Sequence, residues 1–253
     1  MAYPESMLSS LTGSGHSSTD QYSLVAILPS PLNAKATFAR EKPATRAPVV
    51  FPQWAFDAMR PVIRTFSQLC WKLKLYGTEN IPSEGGLIIA SNHQTYFDPF
   101  WISIPVNRPC RYLAWDGAFH WPFVGKAMGL FGAWPLQVEG SDPAAIRRSI
   151  QWLRGGGVLV IFPEGARSTT DGAMSRFKAG AARLALEVNV PILPVTIRGA
   201  NRVWPRNQQL PRLAPVEIVY HPPHSLEPLP DEETRGCARR ETETLAQTIG
   251  SAL

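Results

Sequence analysis

From residue 73 onward, short apolar runs rich in β-branched residues alternate with stretches whose apolar positions recur every three or four residues. No other feature of the sequence constrains the fold as strongly. Seven runs read as strands: 73–76, 87–91, 111–115, 133–138, 158–162, 192–197 and 215–220. Helical spacing between and after them predicts helices at 98–104, 118–130, 142–154, 175–188 and 232–250. Strands that alternate with helices imply crossover connections and a sheet covered by helices. The predicted fold is therefore α/β, with a single mixed, largely parallel sheet flanked by helices. No internal repeat accompanies the pattern.

Two segments precede this block. Residues 1–48 are rich in Ser, Thr, Gly, Pro and Ala and hold one short apolar patch, Leu24-Val25-Ala26-Ile27-Leu28. They read as a disordered tail. A targeting peptide is the alternative, weakened by Glu5, Asp20 and Glu41, and the lack of a basic start followed by an apolar core argues against secretion. Residues 49–72 read as an N-terminal amphipathic helical segment. Ala55, Met59, Val62, Ile63, Phe66, Leu69 and Cys70 recur at helical spacing, with Arg60, Arg64, Gln68 and Lys72 elsewhere. Pro61 should kink or interrupt that helix. One reading packs it on the domain; the other lays it in a membrane interface with its apolar face toward lipid. Different parts of the face can do each. Residues 73–253 form the main domain, and no apolar run reaches the length of a spanning helix.

Net charge is +5 and the pI is about 9.3, which favours anionic partners such as phosphorylated metabolites or an anionic membrane face. No block of lysines and arginines interleaved with aromatics supports nucleic acid. Cys70, Cys110 and Cys237 are odd in number and widely spaced, which suggests reduced thiols in a cytoplasmic compartment. His221 and His224 have ligand-like spacing, but the prolines between them and the lack of nearby partners argue for a surface loop and no metal.

The chemistry concentrates at two strand ends. In "IIASNHQTYFDP", residues 88–99, an apolar run ends at His93, with Asp98 five positions on. Histidine can accept a proton near neutrality, and a carboxylate can fix its tautomer. In "VLVIFPEGARSTTDG", residues 158–172, a second run leads into Glu164, Gly165 and Arg167, with Arg176 and Lys178 beyond. Glycine admits close backbone approach, and a guanidinium can fork two hydrogen bonds onto a phosphate. Ligands of open α/β sheets bind beyond the carboxyl ends of strands, so if the two strands are parallel a base faces a phosphate clamp. The plainer alternatives are a polar strand end, a helix cap and a surface ion pair. Arg198, Arg202 and Arg206 with Trp204 read either as head-group contacts or as a solvated loop. His120, among aromatics, reads as acyl-chain wall or ordinary core.

Taken in order, these motifs resemble the glycerolipid acyltransferase family, to which the 1-acylglycerol-3-phosphate (lysophosphatidate) acyltransferases belong. Asn92-His93 and Asp98 match its Asn-His-x4-Asp motif. Phe162-Pro163-Glu164-Gly165-Ala166-Arg167-Ser168 matches Phe-Pro-Glu-Gly-Thr-Arg-Ser, with alanine for threonine. Phe177-Lys178-x-Gly180 and Val190-Pro191-Ile192-Leu193-Pro194-Val195 follow, so the likeness covers roughly residues 70–220. One block departs: in "GAWPLQVEG", Val138 stands where the family carries an arginine that helps hold the acceptor.

The resemblance implies His93 as general base and Asp98 as the group that orients its ring. It implies Asn92, Glu164, Gly165, Arg167, Ser168 and Lys178 as substrate-binding residues, and the backbone amides beside the first motif as candidates for holding the oxyanion. An acyl thioester donor, acyl-CoA or acyl-carrier protein, would serve as co-substrate with no further cofactor. The acceptor would be a lysophospholipid, foremost 1-acylglycerol-3-phosphate to give phosphatidic acid, at the cytoplasmic face of a membrane by peripheral or monotopic attachment. No Gly-x-Ser-x-Gly elbow accompanies the histidine, so no covalent enzyme intermediate is expected. The rivals are a different lyso-acceptor, a thioester hydrolase, and a catalytically silent lipid-binding module.

Overall fold

A computed structural model describes residues 50–120, 123–137, 142–169, 171–205 and 208–253. The tail read at 1–48, Val138 with Glu139, and Arg206 lie outside the described residues.

The elements run α1 (Gln53–Trp71), β1 (Lys74–Tyr76), β2 (Leu87–Ser91), α2 (Asp98–Ser103), β3 (Cys110–Trp115), α3 (Val124–Leu130), β4 (Ala133–Leu136), α4 (Pro143–Arg154), β5 (Val158–Ile161), α5 (Gly180–Val188), β6 (Ile192–Arg198), β7 (Glu217–Tyr220) and α6 (Thr234–Gly250). One sheet joins the strands in the order β1-β7-β6-β2-β5-β3-β4. Every neighbouring pair is parallel except β6 with β7. It is the mixed, largely parallel sheet that the alternation predicts.

β2 lies at the centre, buried at all five positions, and its side chains alternate between two apolar layers. Leu87 and Ile89 join Trp71 of α1 and Trp101 and Ile102 of α2 on one face. Ile88 and Ala90 join Leu153 of α4, Ala181 and Ala185 of α5, and Leu245 of α6 on the other. A strand enclosed on both faces favours apolar residues on both, which is why 87–90 appears in the sequence as an unbroken apolar run; the buried Ser91 at its end donates its hydroxyl to the Asn92 carbonyl.

Three expected elements differ. Pro61 does not interrupt α1; it lies on an exposed side, where water can satisfy the carbonyl it leaves without a donor. The helix expected at 118–130 is a 3₁₀ turn, Asp116–His120, followed by the shorter α3, with Phe123 in a left-handed conformation at φ 65° before it. The helix expected from 175 begins at Gly180. The N–H of Lys178 is bound by the Pro163 carbonyl at 2.9 Å and that of Ser175 by the Glu164 carboxylate at 2.7 Å, so these amides serve the loop after β5 instead. The cysteines are unpaired thiols, and no described helix is long and apolar enough to cross a membrane.

Candidate active site

Parallel pairing of β2 with β5 brings the two motif loops out at one end of the sheet. β2 is extended past Ser91 by Asn92, whose amide exchanges two hydrogen bonds with Ile197 of β6, at 2.7 and 2.8 Å. Asn92 is buried and both ends of its amide are engaged. The structure therefore gives it a different task from the substrate contact expected: it anchors the loop that carries His93.

The His93 side chain is 18% exposed and the Asp98 side chain 0%. His93 Nδ1 meets Asp98 Oδ2 at 2.9 Å. An ionised carboxylate only accepts, so Nδ1 carries the proton and Nε2 presents its lone pair. The same Oδ2 accepts the N–H groups of Gln94 and Thr95, and Oδ1 accepts the Thr95 hydroxyl at 2.7 Å. Four donors thus fix the carboxylate that fixes the ring. Phe162 stacks on the imidazole with centroids 4.1 Å apart and planes 21° from parallel.

The second loop grips the first. Glu164 accepts the backbone N–H of His93 at 2.8 Å with one oxygen and that of Ser175 with the other. Burial pushes its carboxyl above the usual range, and the two N–H donors pull it partly back. Ser168 donates its N–H to the His93 carbonyl at 2.6 Å, and its own buried hydroxyl has no hydrogen-bond partner among the described residues.

These bonds remove three amides from the set expected beside the first motif to hold an oxyanion. Those of His93, Gln94 and Thr95 are all taken by carboxylates within the protein.

Around the histidine lies a basic rim. Arg167 stacks on Tyr96, its guanidinium carbon 3.8 Å from the ring centroid, and donates to the Tyr96 hydroxyl at 3.0 Å. Tyr96 in turn meets the Trp204 edge at 5.4 Å. Lys178 lies against Gly165, where an added Cβ would stand 3.0 Å from Nζ; φ there is +72°, so glycine is favoured twice over. Six of the residues expected at the site are therefore gathered with His93 and Asp98, two of them, Asn92 and Glu164, with their polar groups turned inward. Others fall elsewhere. Arg198 is tied to Glu217 at 2.7 Å, His221 meets Thr196 at 2.9 Å, and His120 is exposed at the end of its 3₁₀ turn.

Tyr96 and Thr95 belong to this arrangement and were missed by sequence reasoning. Thr95 had a signal, since Thr-x-x-Asp before an apolar stretch is the spacing of a helix-capping box. Tyr96 had none, because its partner is 71 residues away.

Comparison with known proteins gives the family. Residues 72–198 match the family model described as Acyltransferase. A chloroplastic 1-acyl-sn-glycerol-3-phosphate acyltransferase of Brassica napus is 29% identical over 159 residues, 60% of this chain and 45% of its own length. The 1-acyl-sn-glycerol-3-phosphate acyltransferase of Bacillus subtilis is 27% identical over 128 residues, 50% of this chain and 63% of its own. The chain thus spans about half the length of the plant protein. The crystal structure of the 1-acyl-sn-glycerophosphate acyltransferase PlsC from Thermotoga maritima superposes with a TM-score of 0.63 at 23% identity, covering 79% of each chain. That likeness establishes the fold.

Proposed function

Because this chain belongs to the acyltransferase family, we propose that it carries a fatty acyl group from a thioester donor, acyl-CoA or acyl-carrier protein, to a lysophospholipid hydroxyl. The acceptor that the relatives' names favour is 1-acylglycerol-3-phosphate, and the product phosphatidic acid. The observation that carries the reading is the His93–Asp98 pair, on a loop whose Tyr96 is covered by Arg167, with Lys178 against Gly165 of the neighbouring loop.

In this mechanism Nε2 takes the acceptor hydroxyl proton as the oxygen attacks the thioester carbonyl. Asp98 stabilises the imidazolium that forms. With the amides of His93, Gln94 and Thr95 occupied, the rim cations are assigned to stabilise charge on the tetrahedral oxygen. The carbon–sulfur bond then breaks, the thiolate leaves, and the imidazolium returns the proton to sulfur. The acyl group never bonds to the enzyme.

An acceptor panel tests the assignment. Arg167 would fork onto the acceptor phosphate, which a lysine cannot reproduce. Arg167→Lys should therefore raise the KM for lysophosphatidate by about tenfold, the loss of roughly one charge-assisted hydrogen bond. It should affect an uncharged monoacylglycerol far less. Equal loss with both acceptors would remove the phosphate-clamp role.

The membrane reading rests on the outer face of α1. Ile63, Cys70 and Trp71 pack inward, and Ser67 accepts from the Trp101 indole at 3.1 Å, while Trp54 is 72% and Leu69 78% exposed. Val62 and Phe66 lie on the same outer side. Leu210 and Leu213, each 77% exposed, extend this surface on a loop held to α1 by the Trp71 indole, which donates to the Arg212 carbonyl at 3.0 Å. The inner side of the helix packs on the domain, and the exposed outer side is the one assigned here to lipid. Arg64, Lys72 and Arg212 add charge suited to an anionic, cytoplasmic leaflet. Leu69→Glu combined with Leu213→Glu should lower the fraction sedimenting with phosphatidylglycerol vesicles by at least about tenfold, since each buried leucine contributes roughly 1.5–3 kcal/mol. Raised salt should weaken binding of the parent. Unchanged sedimentation of the double variant would place the membrane contact elsewhere.

A further inference from the structure

We propose that Glu164 is a positioning residue for His93: its carboxylate clips the backbone of the base and does not contact substrate. The inference rests on the reading of His93 as general base and adds to it a device that the assignment of Glu164 to substrate binding does not contain.

Four contacts hold His93, and three come from the loop after β5. The N–H of His93 is bound by Glu164 Oε1 at 2.8 Å, and its carbonyl by the N–H of Ser168 at 2.6 Å. The ring plane is set by Phe162 and the ring edge by Asp98. Both peptide units flanking the base are thus fixed by one short segment, 162–168. Glu164 ties that segment further to the stretch before α5, since Oε2 accepts the N–H of Ser175 at 2.7 Å. Glu164 is 5% exposed.

The geometry explains why the residue is a glutamate. Two N–H donors converge on it from separate loops, and two acceptor oxygens are needed to meet them. A glutamine keeps the shape but offers one oxygen, so its NH₂ group would face one of the two N–H groups. An aspartate keeps both acceptors and is one methylene short. Removing an acceptor leaves a buried donor unsatisfied, and the loop would then shift to find another partner. A general base tolerates little of this, because misplacement by about 1 Å can lower a rate about 10²-fold.

A substrate contact and a positioning clip differ in which constant they move. With parent enzyme on vesicles and lysophosphatidate as acceptor, Glu164→Gln should lower kcat by about 10–100-fold. The KM values for palmitoyl-CoA and lysophosphatidate should stay within about threefold of the parent. Glu164→Asp should recover part of the lost kcat, as it restores both acceptors. Hydrogen–deuterium exchange followed by mass spectrometry supplies a readout independent of activity. The peptide spanning 92–97 should exchange faster in Glu164→Gln, while peptides from β2, β5 and β6 keep their protection.

A rise in the KM for lysophosphatidate with kcat preserved would overturn the proposal and make Glu164 a substrate contact. Faster exchange throughout the sheet would also overturn it, since Glu164 would then be a general stability element. Unchanged exchange at 92–97 would do the same. Failure of the base reading is separately visible: His93→Ala would stay active even where Glu164→Gln loosens residues 92–97.

Discussion

Replacing His93 with alanine is expected to lower acyl transfer by about 10²–10⁴-fold, the range that a positioned general base supplies. The fold should survive. The imidazole lies beyond the end of β2 and outside the two apolar layers, and the backbone bonds from Glu164 and Ser168 do not need the ring. The loss should sit in kcat, with thiol release from the acyl donor as the measurement and circular dichroism as the check on folding. A well-folded His93→Ala protein within a few-fold of the parent would remove His93 from the mechanism.

Asp98→Asn should act nearly as strongly and for a different reason. An asparagine can keep its carbonyl oxygen toward the three N–H groups that Oδ2 now accepts, and its NH₂ toward Thr95, whose hydroxyl can turn to accept. The shape is retained and the charge opposite the imidazolium is lost. Turnover should fall on the order of 10²–10⁴-fold with KM little changed, as expected of a carboxylate that orients a catalytic histidine. A change confined to KM would instead make Asp98 a binding residue.

How far the sequence revealed this arrangement depends on the range of the contacts involved. Buried strands such as 87–91 and 158–161 announce themselves because 87–90 and 158–161 are unbroken apolar runs, and their observed limits fall within two residues of the expected ones. Helix boundaries failed where long-range bonds took over the backbone. The start of α5 moved from 175 to 180 because Glu164 and Pro163 claim amides that periodicity assigns to a helix. At the site, His93 and Asp98 were legible because they are five residues apart, in the loop after β2 and at the start of α2. The nearness of Arg167 followed from two parallel strands ending side by side.

The direction in which a side chain points was not legible. Nothing local distinguishes a Glu164 that faces substrate from one that faces the His93 amide, or shows that Tyr96 lies beneath Arg167. Asn92 has the same ambiguity: its residue type suits a ligand, and only the position of Ile197 on β6 reveals that its amide is engaged.

Transfer to a lipid hydroxyl by way of His93 leaves a distinct chemical signature. Thiol release from palmitoyl-CoA and from palmitoyl-carrier protein, followed on vesicles with and without lysophosphatidate, tests it directly when the lipid products are identified by mass spectrometry. Release with at least one donor should require the acceptor and yield one phosphatidic acid for each thiol. Release at the same rate without acceptor, with free fatty acid as the product, would contradict it and make the protein a hydrolase. Absence of release with either donor would make it a lipid-binding module that keeps the fold.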